Sequence, residues 1–318
     1  MPAISASAPG KIILFGEHAV VYNRPAIAVP VLQVAAKATV VADPLAPPHT
    51  VWIDAPVIGL SSALNDLDEN HPLRYVISLV MQALGVSEFP SARIKLTSTI
   101  PIAAGLGSSS ASSVALARAV SEFLGHPLLD DQVNQIAFEV EKIHHVHPSG
   151  IDNTVTTYAR PVFFIRNRPV EQMEIGAPLT FVIGDTGQGS HTSVVVADVR
   201  RNWTLDPKKY DAIFDQIAGC TLQGRQVMKS GSLTELGQWM LLNHELLRKI
   251  DVSSTLLDSL VASAVSSGAL GAKLSGGGRG GNMIALAPSI DHATEIASTL
   301  KNAGAVNTIV TTVPASKR

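Results

Sequence analysis

Lys11 opens an apolar run, Ile12 to Phe15, and Gly16-Glu17-His18 closes it. A strand of this kind carries a cation at one end and a carboxylate beside an imidazole at the other. A strand that served only a core would need none of the three. Two glycine-rich segments follow, at 105–110 and 276–281, where backbone without Cβ atoms can come close to an anion. Together these stretches point to transfer of a phosphoryl group onto a small hydroxylated acid.

The first segment, Gly105-Leu106-Gly107-Ser108-Ser109-Ser110, precedes a helical pattern rich in Ala and Ser. A helix start presents unpaired N–H groups and a partial positive charge, which suits a phosphate, and the hydroxyls suit Mg2+ or phosphate oxygens. An ordinary serine N-cap after a flexible turn fits these residues equally well. The second segment, Ser275-Gly276-Gly277-Gly278-Arg279-Gly280-Gly281, matches G-x-G-x-x-G at Gly276, Gly278 and Gly281. A dinucleotide fingerprint opens a helix in an early βαβ unit, whereas a strand-like run, Met283 to Ala287, follows here. A glycine hairpin that brings Gly277 and Gly278 up to a substrate or its phosphate fits better. Ile12 follows Gly10-Lys11, and neither His-Arg-Asp nor Asp-Phe-Gly occurs. The chain therefore has neither a P-loop nor the protein-kinase set.

Phosphoryl transfer rests on positioning and charge neutralisation. Asp152, within Pro148-Ser149-Gly150-Ile151-Asp152-Asn153, is the residue to accept or orient the proton of an attacking hydroxyl, and Lys11 the cation that keeps it ionised. Glu141 and a serine of 105–110 are hard oxygen ligands of the kind Mg2+ takes. Each residue also has a plainer reading. Asp152 would cap the segment after a Ser-Gly turn, and Glu141 would face solvent from a helix. Lys11 would snorkel from a strand edge, and His18 would be a core histidine held by one hydrogen bond. His144, His145 and His147 lack an HExxH pattern and a nearby cysteine, so they do not read as a zinc site.

The elements that must position these residues follow from periodicity. Strands are expected over 3–15, 26–43 and 50–54, and the alternation at 92–99 marks a half-exposed strand. Asn70-His71-Pro72 opens a helix that runs through Leu84 and stops at Gly85. A helix with Val114, Ala117, Val120 and Leu124 on one face follows the first glycine segment, and 129–145 forms another, ended by the turn His147-Pro148-Ser149-Gly150. Strand-like 161–165 leads into the polar stretch Arg166–Gly176, the expected boundary between domains 1–170 and 171–318. Beyond it lie a strand at 179–183, helices at 192–202, 207–229, 232–249 and 253–267, strands at 270–274 and 283–287, a helix at 290–303 and a strand at 306–313. Strands and helices mixed in this way give two α+β domains.

Composition excludes several classes. The 318 residues are 46% hydrophobic and 16% charged, enough for two packed domains. A net charge of −2, without long runs of like charge, argues against a nucleic-acid binder. Cys220 is the single cysteine, so no disulfide forms within the chain and a reducing cytoplasm is the expected compartment. The N-terminus has no basic, apolar leader pattern, and no uncharged stretch is long enough to span a membrane.

Three motifs in order carry a resemblance. Pro9-Gly10-Lys11 to Val21, then Pro101-Ile102-Ala103-Ala104-Gly105-Leu106-Gly107-Ser108-Ser109-Ser110-Ala111, then Lys273-Leu274-Ser275-Gly276-Gly277-Gly278 resemble those of the GHMP kinase superfamily over the whole length. Gly16-Glu17-His18-Ala19-Val20-Val21 matches its mevalonate kinase branch, as does the run from Glu141 through His145 to Asp152-Asn153. The resemblance implies a ribosomal-S5-like N-terminal domain and a ferredoxin-like C-terminal domain with the active site in the cleft between them. It makes residues 101–111 the ATP phosphate cradle, Asp152 the catalytic aspartate, Lys11 its partner, and Ser109 and Glu141 the Mg2+ ligands. Glu17, His18 and Thr192 become contacts of the substrate, mevalonate, and the assembly a homodimer. Three positions depart from the family pattern: Val146 replaces a glycine, Arg279 interrupts the glycine loop, where it would reach phosphate or solvent, and Asn282 stands where cysteine is common.

The expected reaction is phosphorylation of the 5-hydroxyl of mevalonate by ATP in isoprenoid synthesis. The alternatives are a related kinase acting on phosphomevalonate, on the 3-hydroxyl or on a sugar, a non-catalytic binding protein on the same fold, and, most distantly, a dinucleotide oxidoreductase. A phosphorylated acceptor would call for more cations, and Lys11, Lys273 and Arg279 are the few in view. Retention of Lys11, Glu141 and Asp152 speaks against a non-catalytic protein.

Overall fold

Alternation of apolar and polar residues sets the strands. In Ala92–Ser98 the sequence Ala-Arg-Ile-Lys-Leu-Thr-Ser buries Ala92, Ile94 and Leu96 and exposes Arg93, Lys95 and Thr97, so one face goes inward. The helical period sets the helix over Pro72–Leu84, which buries Leu73, Val76, Ile77 and Val80. The His71 ring caps its start by accepting from Leu73 N, and Gly85 ends it at φ 67°.

The computed structural model describes residues 3–101, 104–144, 149–189 and 192–316. In chain order the elements are β1 (Ile4–Phe15), β2 (Ala26–Ala42), β3 (Val51–Ala55), β4 (Leu60–Ala63), α1 (Pro72–Leu84), β5 (Ala92–Ser98), α2 (Ser108–Phe123), α3 (Asp130–His144), α4 (Ile151–Tyr158), β6 (Val162–Phe164), β7 (Glu171–Gln172), β8 (Leu179–Asp185), α5 (Thr192–Leu205), α6 (Pro207–Ser230), α7 (Leu233–Lys249), α8 (Thr255–Ser266), β9 (Gly271–Ser275), β10 (Asn282–Ala287), α9 (Ile290–Asn302) and β11 (Asn307–Val313). They form two units: Met1–Gly10, Val34–Pro101 and Gly107–Ala159 in the first, Lys11–Gln33, Ile102–Leu106 and Arg160–Arg318 in the second. The chain thus changes unit inside β1 and β2 and around the first glycine segment. Its last passage is at 159/160, where the sequence suggests a single boundary at 170/171.

In the first unit the strand order is β4-β3-β5-β2. β3 runs parallel to β5, with Ile53 opposite Ile94, and β2 antiparallel to it, with Ala38 opposite Leu96. Helix α2 packs against α1, α3 and α4. Most of its buried residues are small, among them Ala111, Ala115 and Ala119, which let neighbouring helices approach.

The second unit is built on an antiparallel sheet ordered β11-β8-β10-β9. Val182 of β8 lies opposite Ala285 and Val310. Helices α7 and α8 pack on β9, and α9 on β8. The second glycine segment connects β9 to β10, with Ser275 opposite Asn282. It is a hairpin loop, as the sequence context suggests, and no helix opens from it.

Several short elements escape the sequence reading: strands β4 and β7, helix α4, which opens from Gly150, and the 3-10 turns at 19–22, 56–58 and 64–66. All are too short for an apolar period to declare itself. Among the described residues no helix is long and apolar enough to cross a membrane.

Candidate active site

In the second unit β1 ends at Phe15 and the chain turns at Gly16. Its φ is 92°, and a Cβ there would lie 2.3 Å from Pro25 O and 2.5 Å from Ala26 Cα, so only glycine fits. Ala19 N then donates to Glu17 O at 2.6 Å, closing a ring around His18. With φ 60° and ψ −48°, His18 is the apex of a γ-turn of the strained hand. Strain of this sort persists where surrounding contacts fix it.

Two contacts do so. Lys273 Nζ on β9 donates to Glu17 Oε1, both side chains being out of water at 0% and 1% exposure, and to Leu274 O at 2.7 Å. The His18 Nε2 lies 2.9 Å from Gly277 O in the glycine loop. Burial pushes the Glu17 carboxyl up against the pull of Lys273, and pushes Lys273 down against the pull of Glu17. Asn243 also favours the charged carboxylate, although among the described residues neither of its side-chain polar atoms nor Glu17 Oε2 has a partner in full hydrogen-bond geometry.

Burial first, and the Arg279 charge after it, hold His18 below its ordinary value near 6.5, with the Gly277 carbonyl opposing. The imidazole is therefore neutral at pH 7. A carbonyl only accepts, so Nε2 carries the proton and Nδ1 is an acceptor.

The glycine loop is fastened at both ends. Ser275 Oγ donates to Ile13 O at 2.6 Å. Thr186 Oγ1 donates to Gly281 O at 2.9 Å, and Gly281 N donates to Gln188 O at 2.8 Å. Gly278 has φ 78°, and a Cβ there would lie 1.9 Å from Val252 O. Asn282 Nδ2 donates to Ala104 O, and Lys11 N donates to Leu106 O at 2.9 Å. The start of the phosphate segment is thus held by β10 on one side and by Lys11 on the other. Lys11 is buried, and Thr192 is the exposed first residue of α5.

In the first unit Gly107 is the N-cap of α2 with φ 74°; among the described residues no side chain caps that end, and no acid stands in its first turn. That end suits an anion. Ser109 is exposed, whereas Ser110 is buried and donates to Glu141 Oε1. Glu141 is 8% exposed, so it does not face solvent. Asp152 is the second residue of α4, and the N-cap position belongs to Gly150 at φ 80°. The capping role read from the Ser-Gly turn therefore falls to another residue. A pocket of about 400 Å³ adjoins the start of α2, with Val57, Ile58, Leu73 and Leu96 on its apolar side and Ser108 and Ser109 on the other.

The structure thus gathers Glu17, His18, Gly277 and Gly278 in one unit and Ser109, Glu141 and Asp152 in the other. Ile102 and Ala103 of the phosphate segment, and His145 and Val146 of the family run, lie outside the described residues. Sequence reading set Glu17 against substrate; in the structure its Oε1 accepts from Lys273. The resemblance pairs Ser109 with Glu141; of the serines in 105–110 that the sequence offered, it is Ser110 that donates to Glu141. The signal for Lys273 was present: a lysine in a strand whose five residues are all buried needs a partner.

Two family models match the chain. The GHMP kinases N terminal domain matches residues 70–160, and the GHMP kinases C terminal matches residues 225–306. The chain belongs to the GHMP kinase family. It is most like the mevalonate kinases. A mevalonate kinase of Thermococcus sibiricus is 35% identical over 95% of this chain and 93% of its own, and one of Pyrococcus horikoshii is 32% identical over the same shares. The solved structure of L. major mevalonate kinase in complex with R-mevalonate superposes with a TM-score of 0.85 at 31% identity, covering 99% of this chain and 97% of that one.

The buried pair predicts a coupling. Glu17→Gln and Lys273→Met should each lower the unfolding free energy by about 3–5 kcal/mol, because each strands one buried charge. The double replacement should lose far less than the sum, read in a urea-denaturation cycle; additive losses would mean that the two side chains do not act together.

His18 predicts a pH dependence. Its folded pKa lies below 6.5, so in the window beneath that value the unfolded chain binds a proton that the folded chain does not. Its contribution to stability is full above about 6.5 and is lost as the pH falls. The drop in urea midpoint between about pH 7.5 and 5.5 should be smaller in His18→Asn than in the parent; equal drops would remove His18 from the effect.

Proposed function

We propose that this kinase transfers the γ-phosphoryl group of ATP to the 5-hydroxyl of mevalonate, giving 5-phosphomevalonate in isoprenoid biosynthesis. Its relatives are named mevalonate kinases, and one was solved with R-mevalonate. The observation that carries the choice of acceptor is where the cations go. Lys273 is spent on Glu17, and Arg279 on Asp198 and Asp251. Two of the three cations in view for a phosphorylated acceptor are already answered by carboxylates. The neutral His18 and the glycine loop suit a hydroxylated acid without a phosphate.

In this reading the pocket beside α2 takes the adenosine, and residues 101–111 with the α2 N-terminus take the phosphates. Asp152 accepts or orients the proton of the attacking hydroxyl, and Lys11 supplies positive charge to the reacting oxygens. The buried carboxylate of Glu141, with the adjacent serine hydroxyls of 108–110, is a hard-oxygen donor set that fits Mg2+. When bound, Mg2+ neutralises charge on the transferred group. His18, Thr192, Gly277 and Gly278 line the acceptor side, with Glu17 behind His18. The single buried cysteine suits a cytoplasmic protein, and the reading includes a homodimer, which sedimentation equilibrium tests.

A coupled assay with ATP and Mg2+ should show turnover of mevalonate and none of phosphomevalonate. Preference for phosphomevalonate, or for a sugar, would overturn the assignment. In the same assay Asp152→Asn should lower kcat by at least ~100-fold, the scale for losing a positioned acid–base or electrostatic group; near-normal turnover would take Asp152 out of the mechanism.

A further inference from the structure

Arg279 stands in the middle of the glycine loop and takes φ 54°, a conformation that a non-glycine side chain adopts at a cost. Four bonds hold it there. Its N donates to Val252 O at 2.8 Å, and Nε donates to Asp251 O at 2.9 Å. Nη1 reaches Asp198 Oδ2 at 2.6 Å, and Nη2 reaches Asp251 Oδ2 at 3.1 Å. Asp251, just past α7, is itself at φ 61°. Asp198 belongs to α5, the helix that begins at Thr192, and Arg201 on the same helix holds its other oxygen at 3.0 Å. Arg279 pulls the Asp198 carboxyl below its usual range.

A guanidinium so placed is a clamp. Its planar fork joins α5 to the turn after α7. The two residues before it in the loop are Gly278, wedged on Val252 O, and Gly277, whose carbonyl holds His18. The sequence offered phosphate or solvent as the target of this arginine, and the geometry gives two carboxylates.

We infer that Arg279 is a positioning residue for the acceptor: by clamping the glycine loop to α5 and to the turn after α7, it sets Gly277, Gly278 and, through Gly277 O, His18. This rests on the reading above, that these residues face mevalonate. Loosening the clamp then weakens acceptor binding more than it weakens ATP binding, because the groups it fixes lie on the acceptor side.

The test is steady-state kinetics of Arg279→Gly, Arg279→Lys and Asp198→Asn, with hydrogen exchange of the loop amides. Glycine accepts the positive φ, so Arg279→Gly removes the fork without new backbone strain. Lysine keeps the charge and loses the fork. All three variants should raise the KM for mevalonate roughly tenfold, equivalent to about 1.4 kcal/mol, with the KM for ATP changing less than about twofold. Exchange at 277–282 should accelerate in each. Acceptor KM unchanged within about twofold, or ATP KM rising as much as acceptor KM, overturns the inference, as does a lysine variant that behaves like the parent. The exchange readout needs no substrate. Faster exchange in a protein that does not phosphorylate mevalonate would therefore indict the assigned acceptor and leave the clamp standing. Unchanged exchange in an active mevalonate kinase would refute the clamp alone.

Discussion

The buried ion pair of Glu17 and Lys273 is the constraint on which the proposed acceptor side depends. Moving two charges out of water is unfavourable, and only close, well-aligned attraction offsets it. A hydrophobic pair would serve a core as well or better. What the ion pair adds is registry: it fixes the turn after β1 to one place on β9. That turn carries His18 at the apex of a strained γ-turn. Once Glu17 is pinned, the imidazole is presented to Gly277 O, and the glycine loop that follows β9 is tied to the same corner. Gly16 makes the corner possible by occupying a site in which any Cβ would strike Pro25 and Ala26.

Electrostatics then narrows the chemistry. In this unit Lys273 and Arg279 both answer carboxylates, and burial keeps His18 neutral. Under the proposed function, an acceptor with one carboxylate and free hydroxyls would meet groups that hydrogen-bond it without a concentration of positive charge. Under the proposed function the phosphates meet, in the first unit, the start of α2, which has no acid in its first turn and, among the described residues, no side-chain cap. Glu141, buried and bonded by Ser110, gives that unit an oriented carboxylate of the kind a hard cation takes.

The regular elements were legible in the sequence because alternation and the helical period are local. β5 and α1 are where the pattern puts them, and the strand context of the second glycine segment was enough to predict a hairpin over a dinucleotide loop. The motifs around Lys11, Gly105 and Gly276 named the family and the kinase activity. What escaped depends on tertiary partners or on turns too short for a period. Helix α4 has eight residues and opens from a glycine, so Asp152 read as a cap. The γ-turn at His18 is imposed by contacts with residues far along the chain. Lys273 read only as one of the few cations in view for a phosphorylated acceptor, because its partner is 256 positions away. Ser110 read as one serine among three until Glu141 was found against it.

Phosphorus-31 NMR of the product formed from ATP and R-mevalonate tests the central claim, that this site phosphorylates the primary hydroxyl of an unphosphorylated acceptor. A phosphate on the 5-oxygen is coupled to the two protons of the adjoining methylene and gives a triplet. A singlet, the mark of a phosphate on the tertiary 3-oxygen, or no new phosphate ester at all, would contradict it.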